Sequence, residues 1–145
     1  MPFLDVWIHL IWSTKNRARV LIKEKREPLF AHIRENCKSK SIYLDIVNGH
    51  IDHVHTLVSL RGDQSIAKIA QLMKGESAHW ANQQQLFRPR LEWQDEYIAI
   101  SINPSEKNRV REYIRAQEAH HEIRSFMDEF ASVMRDQRLY RADGG

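Results

Sequence analysis

Four short apolar runs alternate with three amphipathic stretches along the chain, and their order predicts its fold. Phe3 to Trp12 is rich in Val, Ile, Trp and Leu, the pattern of a buried strand, and the polar turn Ser13-Thr14-Lys15-Asn16-Arg17 follows it. From about Lys23 to Lys38, Leu29 or Phe30, Ile33 and Cys37 recur at helical spacing. Ile42 to Val47 predicts a second strand, Asn48-Gly49 is the strongest short turn signal, and a third strand runs from about His53 to Leu60. Arg61-Gly62-Asp63 breaks that strand, after which Ile66, Ile69, Met73, Ser77 and Trp80 step along a second helix. Phe87 to Asp95 is irregular, and Tyr97 to Ile102 is a fourth strand ended by Asn103-Pro104. A helix from Ser105 carries Val110, Tyr113, Ile114 and Gln117, ends near His120-His121, and is followed by a capping box, Ser125-Phe126-Met127-Asp128. The order β-α-β-β-α-β-α predicts an α+β, ferredoxin-like (RRM-like) βαββαβ fold. Its four-stranded antiparallel sheet carries two helices on one face, with C-terminal helices added.

Composition narrows the class. A chain of 145 residues, 42% apolar and 28% charged, is expected to form one globular domain spanning residues 1–145. Its longest apolar stretch, Val6 to Trp12, is interrupted by His9 and is far too short to span a bilayer. No membrane partner is expected, and a cytoplasmic location follows from the absence of a basic leader at Met1 to Asp5. A single cysteine, Cys37, excludes an internal disulfide and a cysteine-based zinc cluster, so any metal chemistry must use His, amide or carboxylate ligands. The net charge of +3 and the basic clusters at 15–26, 88–90 and 109–115 suit a polyanionic partner, although each cluster alone is also what a solvated face looks like.

The candidate chemistry lies in two spacings. His53-Val54-His55 begins a strand, so both imidazoles share one face while Val54 points the other way, offering two nitrogen ligands to one metal ion. A pair alone is an incomplete site and is more often the pattern of two satisfied or surface histidines. Tyr113 and Gln117 lie four apart on one helix face and present a phenol and an amide oxygen together. Paired with the histidines they fit a metal-dependent tyrosine nucleophile; by themselves they fit packing. Asp52 either orients an imidazole or caps the turn, and His9 reads as a sheet-face hydrogen-bonding residue. His50 breaks the His-x-His-x-His spacing of a histidine-triad hydrolase, and Trp80 has the phase of a core residue.

In this order and spacing the chain resembles the single-tyrosine transposases of the HUH endonuclease class, which include insertion-sequence enzymes and REP-associated tyrosine transposases. The resemblance is carried by Trp12 to Arg17, Asp52-His53-Val54-His55 with Leu57-Val58, Lys74-Gly75-Glu76-Ser77 with Trp80 and Asn82, and Trp93-Gln94 with Tyr97 and Ser101. It continues through Tyr113-Ile114 with Gln117, His120 and His121, and Phe126 with Glu129. Thr56 and Ile98-Ala99-Ile100 depart from the usual pattern at positions without a catalytic role. The resemblance implies that His53, His55 and Gln117 hold a divalent cation, Mg2+ or Mn2+, and that Tyr113 is the nucleophile. It implies cleavage and rejoining of single-stranded DNA next to hairpins through a 5′-phosphotyrosine link. Arg17, Arg19, Lys74, Arg88 and Arg90 are the expected phosphate contacts, and Trp93 is either a stacking surface for a base or core packing. A homodimer is expected, with the Tyr113 helix serving its own or the partner's His pair. Two other readings stand beside this one: a non-catalytic ferredoxin-like binder of single-stranded nucleic acid, and a small-molecule metallohydrolase working without a covalent adduct.

Overall fold

The computed structural model of the chain describes residues 2–117. Along them run β1 (Trp7–Ser13), α1 (Lys23–Ser39), β2 (Tyr43–Gly49), β3 (His53–Ser59), α2 (Ile66–Gln83), β4 (Ile98–Ile102) and α3 (Lys107–Arg115), with 3-10 turns at Lys15–Arg17 and Pro104–Glu106. The strands form one antiparallel sheet in the order β2-β3-β1-β4, so the expected ferredoxin-like α+β class is the observed one. His120, His121 and the capping box at 125–128 lie outside the described residues.

Alternation along β1 and β3 divides their side chains between two cores. Ile8, Leu10, Trp12, Val54 and Val58 pack against Leu29, Phe30 and Ile33 of α1 and Ile69, Ala70 and Met73 of α2. On the opposite face Trp7, Leu57, Ile100 and Ile102 meet Ile114 of α3, with Val110 and Tyr113 beside them. Each large apolar side chain buried this way contributes roughly 1.5–3 kcal/mol. A slip of β3 by one residue would exchange Val54 and Val58 for His53 and His55 in the helix-covered core, so apolar parity fixes which face receives the histidines.

Three local features differ from the expected elements. β1 begins at Trp7 and not at Phe3, because Trp7 already pairs with Ser59 and Ile102, the last residues of both neighbouring strands. Phe3 has no strand beside it and is 91% exposed. Asn48 and Gly49 do not form the hairpin turn: they close β2, paired with His55 and Val54, and His50-Ile51-Asp52 turns the chain instead. That turn is held from outside, by the Thr14 N–H donating to the Asp52 carbonyl and the Leu21 N–H donating to the Ile51 carbonyl, each at 2.9 Å. Gly49 is needed for a different reason than a left-handed turn, since a Cβ there would overlap the His53 carbonyl oxygen and press on Val54. Finally, the β2–β3 register shifts between Leu44 and Ile46, leaving Asp45 as the extra residue of a bulge. Leu44 and Val47 consequently both pack toward the α1/α2 core, while Ile46 and Asn48 face α3.

Candidate functional site

The face of the sheet under α3 collects three histidines that share one parity: His9 from β1 and His53 and His55 from β3. They are 2%, 0% and 1% exposed, so each needs a polar partner. His9 Nε2 and His55 Nδ1 are 2.8 Å apart and share a hydrogen bond, which turns the other nitrogen of His55, Nε2, outward from that pair. His9 is therefore the hydrogen-bonding residue its strand position suggests. His53 Nδ1 donates to Asp52 Oδ1 at 2.7 Å, and the other carboxylate oxygen of Asp52 meets Arg17 Nη2 at 3.5 Å. Asp52 thus orients the imidazole, and it is itself placed by the Thr14 contacts to its backbone, with the Thr14 hydroxyl 3.2 Å from the same carbonyl. A carboxylate on the remote nitrogen of a ligating histidine fixes the ring and raises its basicity.

α3 brings the other half of the site. The Tyr113 ring centroid lies 5.9 Å from that of His55 and 6.3 Å from that of His9, edge to face with both. One turn further, the Gln117 side chain is fully buried, its amide nitrogen reaching the Tyr113 carbonyl at 3.4 Å and its Oε1 standing 3.3 Å from His53 Nε2. With Nδ1 donating to Asp52, a neutral His53 ring points a lone pair at a carbonyl oxygen. Two acceptors facing one another at this distance would be satisfied by a cation between them. An imidazole nitrogen and an amide oxygen 3.3 Å apart are donors that a hard divalent ion would accept. Among the described residues no group of three or more His, Cys, Asp or Glu side chains is arranged to hold a metal.

The structure therefore brings together His53, His55, Tyr113 and Gln117, and joins Arg17 to them through Asp52. Arg19, Arg88 and Arg90 are exposed, the last two flanking a cis Arg88-Pro89 peptide. Lys74 and Trp93 belong to the other side of the sheet, lining a hollow of about 330 Å³ beside α2. The Lys74 ammonium donates to the carbonyls of Gln94, Asp95 and Glu96 at 2.6, 2.9 and 3.3 Å, and its burial pulls its pKa below the ordinary lysine value. It shapes the loop before β4, with all three of its protons directed at protein. Trp93 sits edge to face with Trp12 at 5.8 Å and donates to the Ser77 hydroxyl at 3.1 Å, so of its two readings packing is the one the contacts describe. Trp80, half-buried, stacks on His32 at 4.1 Å.

Sequence reasoning did not find Asp45 or Asn48. Arg111 grips Asp45 through Nε at 2.6 Å and Nη2 at 3.2 Å, and Asn48 Nδ2 donates to the carbonyls of Ile114 and Arg115 at 3.1 and 3.0 Å. The Asp45 hydrogen bond raises the Arg111 pKa further above its ordinary value. The available signal was a lone carboxylate inside an apolar strand.

Comparison with known proteins bears on the fold and the family. The chain is 26% identical over 115 residues to the ISDra2 transposase TnpA of Deinococcus radiodurans, covering 75% of this chain and 81% of that protein. A crystal structure of a Deinococcus radiodurans R1 protein assigned as a transposase superposes with a TM-score of 0.63 at 23% identity, over 80% of this chain and 93% of that one. A REP-associated tyrosine transposase bound to a REP hairpin superposes with a TM-score of 0.59 at 15% identity, over 83% and 72% of the two chains. At these identities the two structures speak for the fold. The family model described as "Transposase IS200 like" matches residues 3–117, which takes in both histidines, Tyr113 and Gln117, and the chain belongs to that family.

Proposed function

We propose that this transposase cleaves and rejoins single-stranded DNA beside hairpins, with Tyr113 as the nucleophile. The observation that supports the reading most is the meeting, within one chain, of the Tyr113 ring with His55 and of Gln117 with His53, from elements about sixty residues apart in sequence. His53, His55 and Gln117 would hold a divalent cation, Mg2+ or Mn2+. When bound, that ion supplies Lewis-acid polarisation of the scissile phosphate and offsets its charge. Asp52 keeps the His53 ring in the tautomer whose Nε2 is a ligand, and Arg17 beside it carries positive charge toward the entering strand.

The Tyr113 oxygen attacks phosphorus, forming the Tyr–O–P bond as the P–O3′ bond breaks. The phenol proton passes to solvent, and the departing oxygen takes one up as a free 3′-hydroxyl. A phenol of pKa about 10 is a weak nucleophile until it loses that proton. The phosphoester energy is retained in the link, so a 3′-hydroxyl reverses the step and joins DNA without ATP. A single strand suits in-line attack because its backbone bends and its bases splay more readily than those of a duplex. Arg19, Arg88 and Arg90 are proposed to follow its phosphates.

The binding-module reading would use an open sheet face carrying aromatics, as RRM domains do. Here α3 covers that face, which counts against it. Mixing the protein with a hairpin-bearing single strand and Mg2+ or Mn2+ should give a denaturant-resistant covalent adduct that Tyr113→Phe does not form. An adduct of equal yield from Tyr113→Phe removes the nucleophile assignment. No adduct from either protein, with turnover of small phosphoesters, would favour the metallohydrolase.

Each chain is proposed to act in a homodimer with its own Tyr113 at its own histidines. A heterodimer of one Tyr113→Phe chain and one His53→Ala chain is then inactive at both sites. Activity at one site would mean that the helix is exchanged between partners.

A further inference from the structure

Resting on the reading of Tyr113 as nucleophile, we infer that Asp45, Asn48 and Arg111 are positioning residues that set the angle at which α3 presents Tyr113 and Gln117 to the histidines. α3 has nine residues, too few to be stable by itself. It meets the sheet through a thin apolar stripe of Val110, Tyr113 and Ile114. Such a stripe lets a short helix slide or roll, since apolar contact is not directional.

Two polar clamps remove that freedom. The first is the fork of Arg111 on Asp45, with Arg111 Nη1 also 2.8 Å from Asn108 Oδ1. Two parallel N–H···O bonds fix orientation as well as distance. The second is the Asn48 amide, which donates to the carbonyls of Ile114 and Arg115 at the C-terminal end of α3. One clamp lies before Tyr113 and the other directly after it, so the nucleophile is bracketed.

Both clamps come from edge strand β2, and both depend on the bulge at Asp45. Regular alternation would give Asp45 and Ile46 opposite faces. The extra residue lets the Asp45 carboxylate and the Ile46 side chain reach α3 in succession while Val47 still enters the other core. A bulge next to a reactive group that re-aims a side chain is a recurrent device. The Asp45–Arg111 pair is only part-buried, so its worth as a stability element is small; its directional geometry is what bears on the site.

The test compares wild type with Asn48→Ala, Asp45→Asn and Arg111→Ala by three measurements: adduct rate at saturating hairpin DNA, DNA Kd, and amide hydrogen exchange at residues 113–117. A misplacement of about 1 Å costs on the order of 100-fold in rate. The expected result is adduct formation slowed on the order of 10- to 100-fold, Kd changed less than about twofold, and faster exchange confined to α3. Asp45→Asn with Arg111→Ala should be no slower than the worse single variant, because both break one clamp. Wild-type rates and unchanged exchange in Asn48→Ala and Arg111→Ala would overturn the inference, as would a loss explained wholly by weaker DNA binding or global unfolding. If wild type itself makes no adduct, the nucleophile reading fails, and the exchange measurement still decides whether the clamps hold α3.

Discussion

At the scale of single residues, the site depends on side chains that touch the histidines without being expected ligands. Asp52 shows this best, holding His53 Nδ1 at 2.7 Å while pairing with Arg17. Asp52→Asn keeps an acceptor but loses the charge that favours a ligating Nε2. It should raise the Mn2+ concentration for half-maximal adduct formation by roughly 10- to 100-fold, the usual cost of losing such a partner. A metal dependence identical to wild type would leave Asp52 as a turn residue only. Gly49 is the second case. Gly49→Ala inserts a Cβ against the His53 carbonyl, which is rigid backbone, so a strand must move. A loss of about 1–3 kcal/mol in denaturant unfolding is expected, as for other overpacked sites. A loss below about 0.5 kcal/mol would show that the hairpin absorbs the methyl by a small shift.

At the scale of elements, each helix is specified by different means. α2 opens with a side-chain cap, Ser65 Oγ accepting from the Lys68 N–H at 3.1 Å, and its apolar residues recur along one face. Ser65→Ala should cost about 1 kcal/mol of stability without touching the histidines, so equilibrium unfolding moves while the adduct rate does not. α3 has no side chain capping its N-terminus and takes its C-terminal partner, Asn48, from a strand. This contrast explains what could be read in advance. The αβ order, the helix phases and the shared face of His53 and His55 are local periodicities, and all were legible. The Asn48-Gly49 turn was misread because both residues carry the composition of a turn for tertiary reasons, one as a helix cap and one as a close approach of strands.

At the scale of the whole molecule, charge and burial govern behaviour in solution. For a single strand, log Kobs falls with log salt by about 0.7 per phosphate neutralised. Replacing Arg88 and Arg90 together by Ala should therefore lower the slope by about 1.4 if both contact phosphates, measured by DNA binding across a salt series. A slope equal to wild type takes them off the phosphate path. Stability at high pH tests the packing between α1 and the sheet. Cys37 is 1% exposed, and burial, with Glu76 adding to it, pushes its thiol up to about 12. Above the unfolded value, near ~8.5, the unfolded chain loses this proton and the folded chain keeps it. Folding stability must then fall as pH rises, by up to about 1.4 kcal/mol per pH unit until the folded thiol also ionises. Cys37→Ala should flatten that decline between about pH 9 and 12; an equal slope in both proteins would assign it to other groups.

What the sequence determined by itself follows from periodicity: the strand and helix order, the ferredoxin-like class, the buried face of each element and the side-by-side placement of His53 with His55 and of Tyr113 with Gln117. Spacing within one element is enough for these, because strand and helix geometry fix which neighbours share a face. Only the tertiary structure decided that the two pairs meet, that Asp52 belongs to the site, that Lys74 and Trp93 serve the opposite side, and that Asp45 and Asn48 hold α3. Those facts depend on a one-residue bulge in β2 and on the closing of a helix over the free face of a sheet. Both are set by contacts between residues far apart in the chain, where no periodicity reaches.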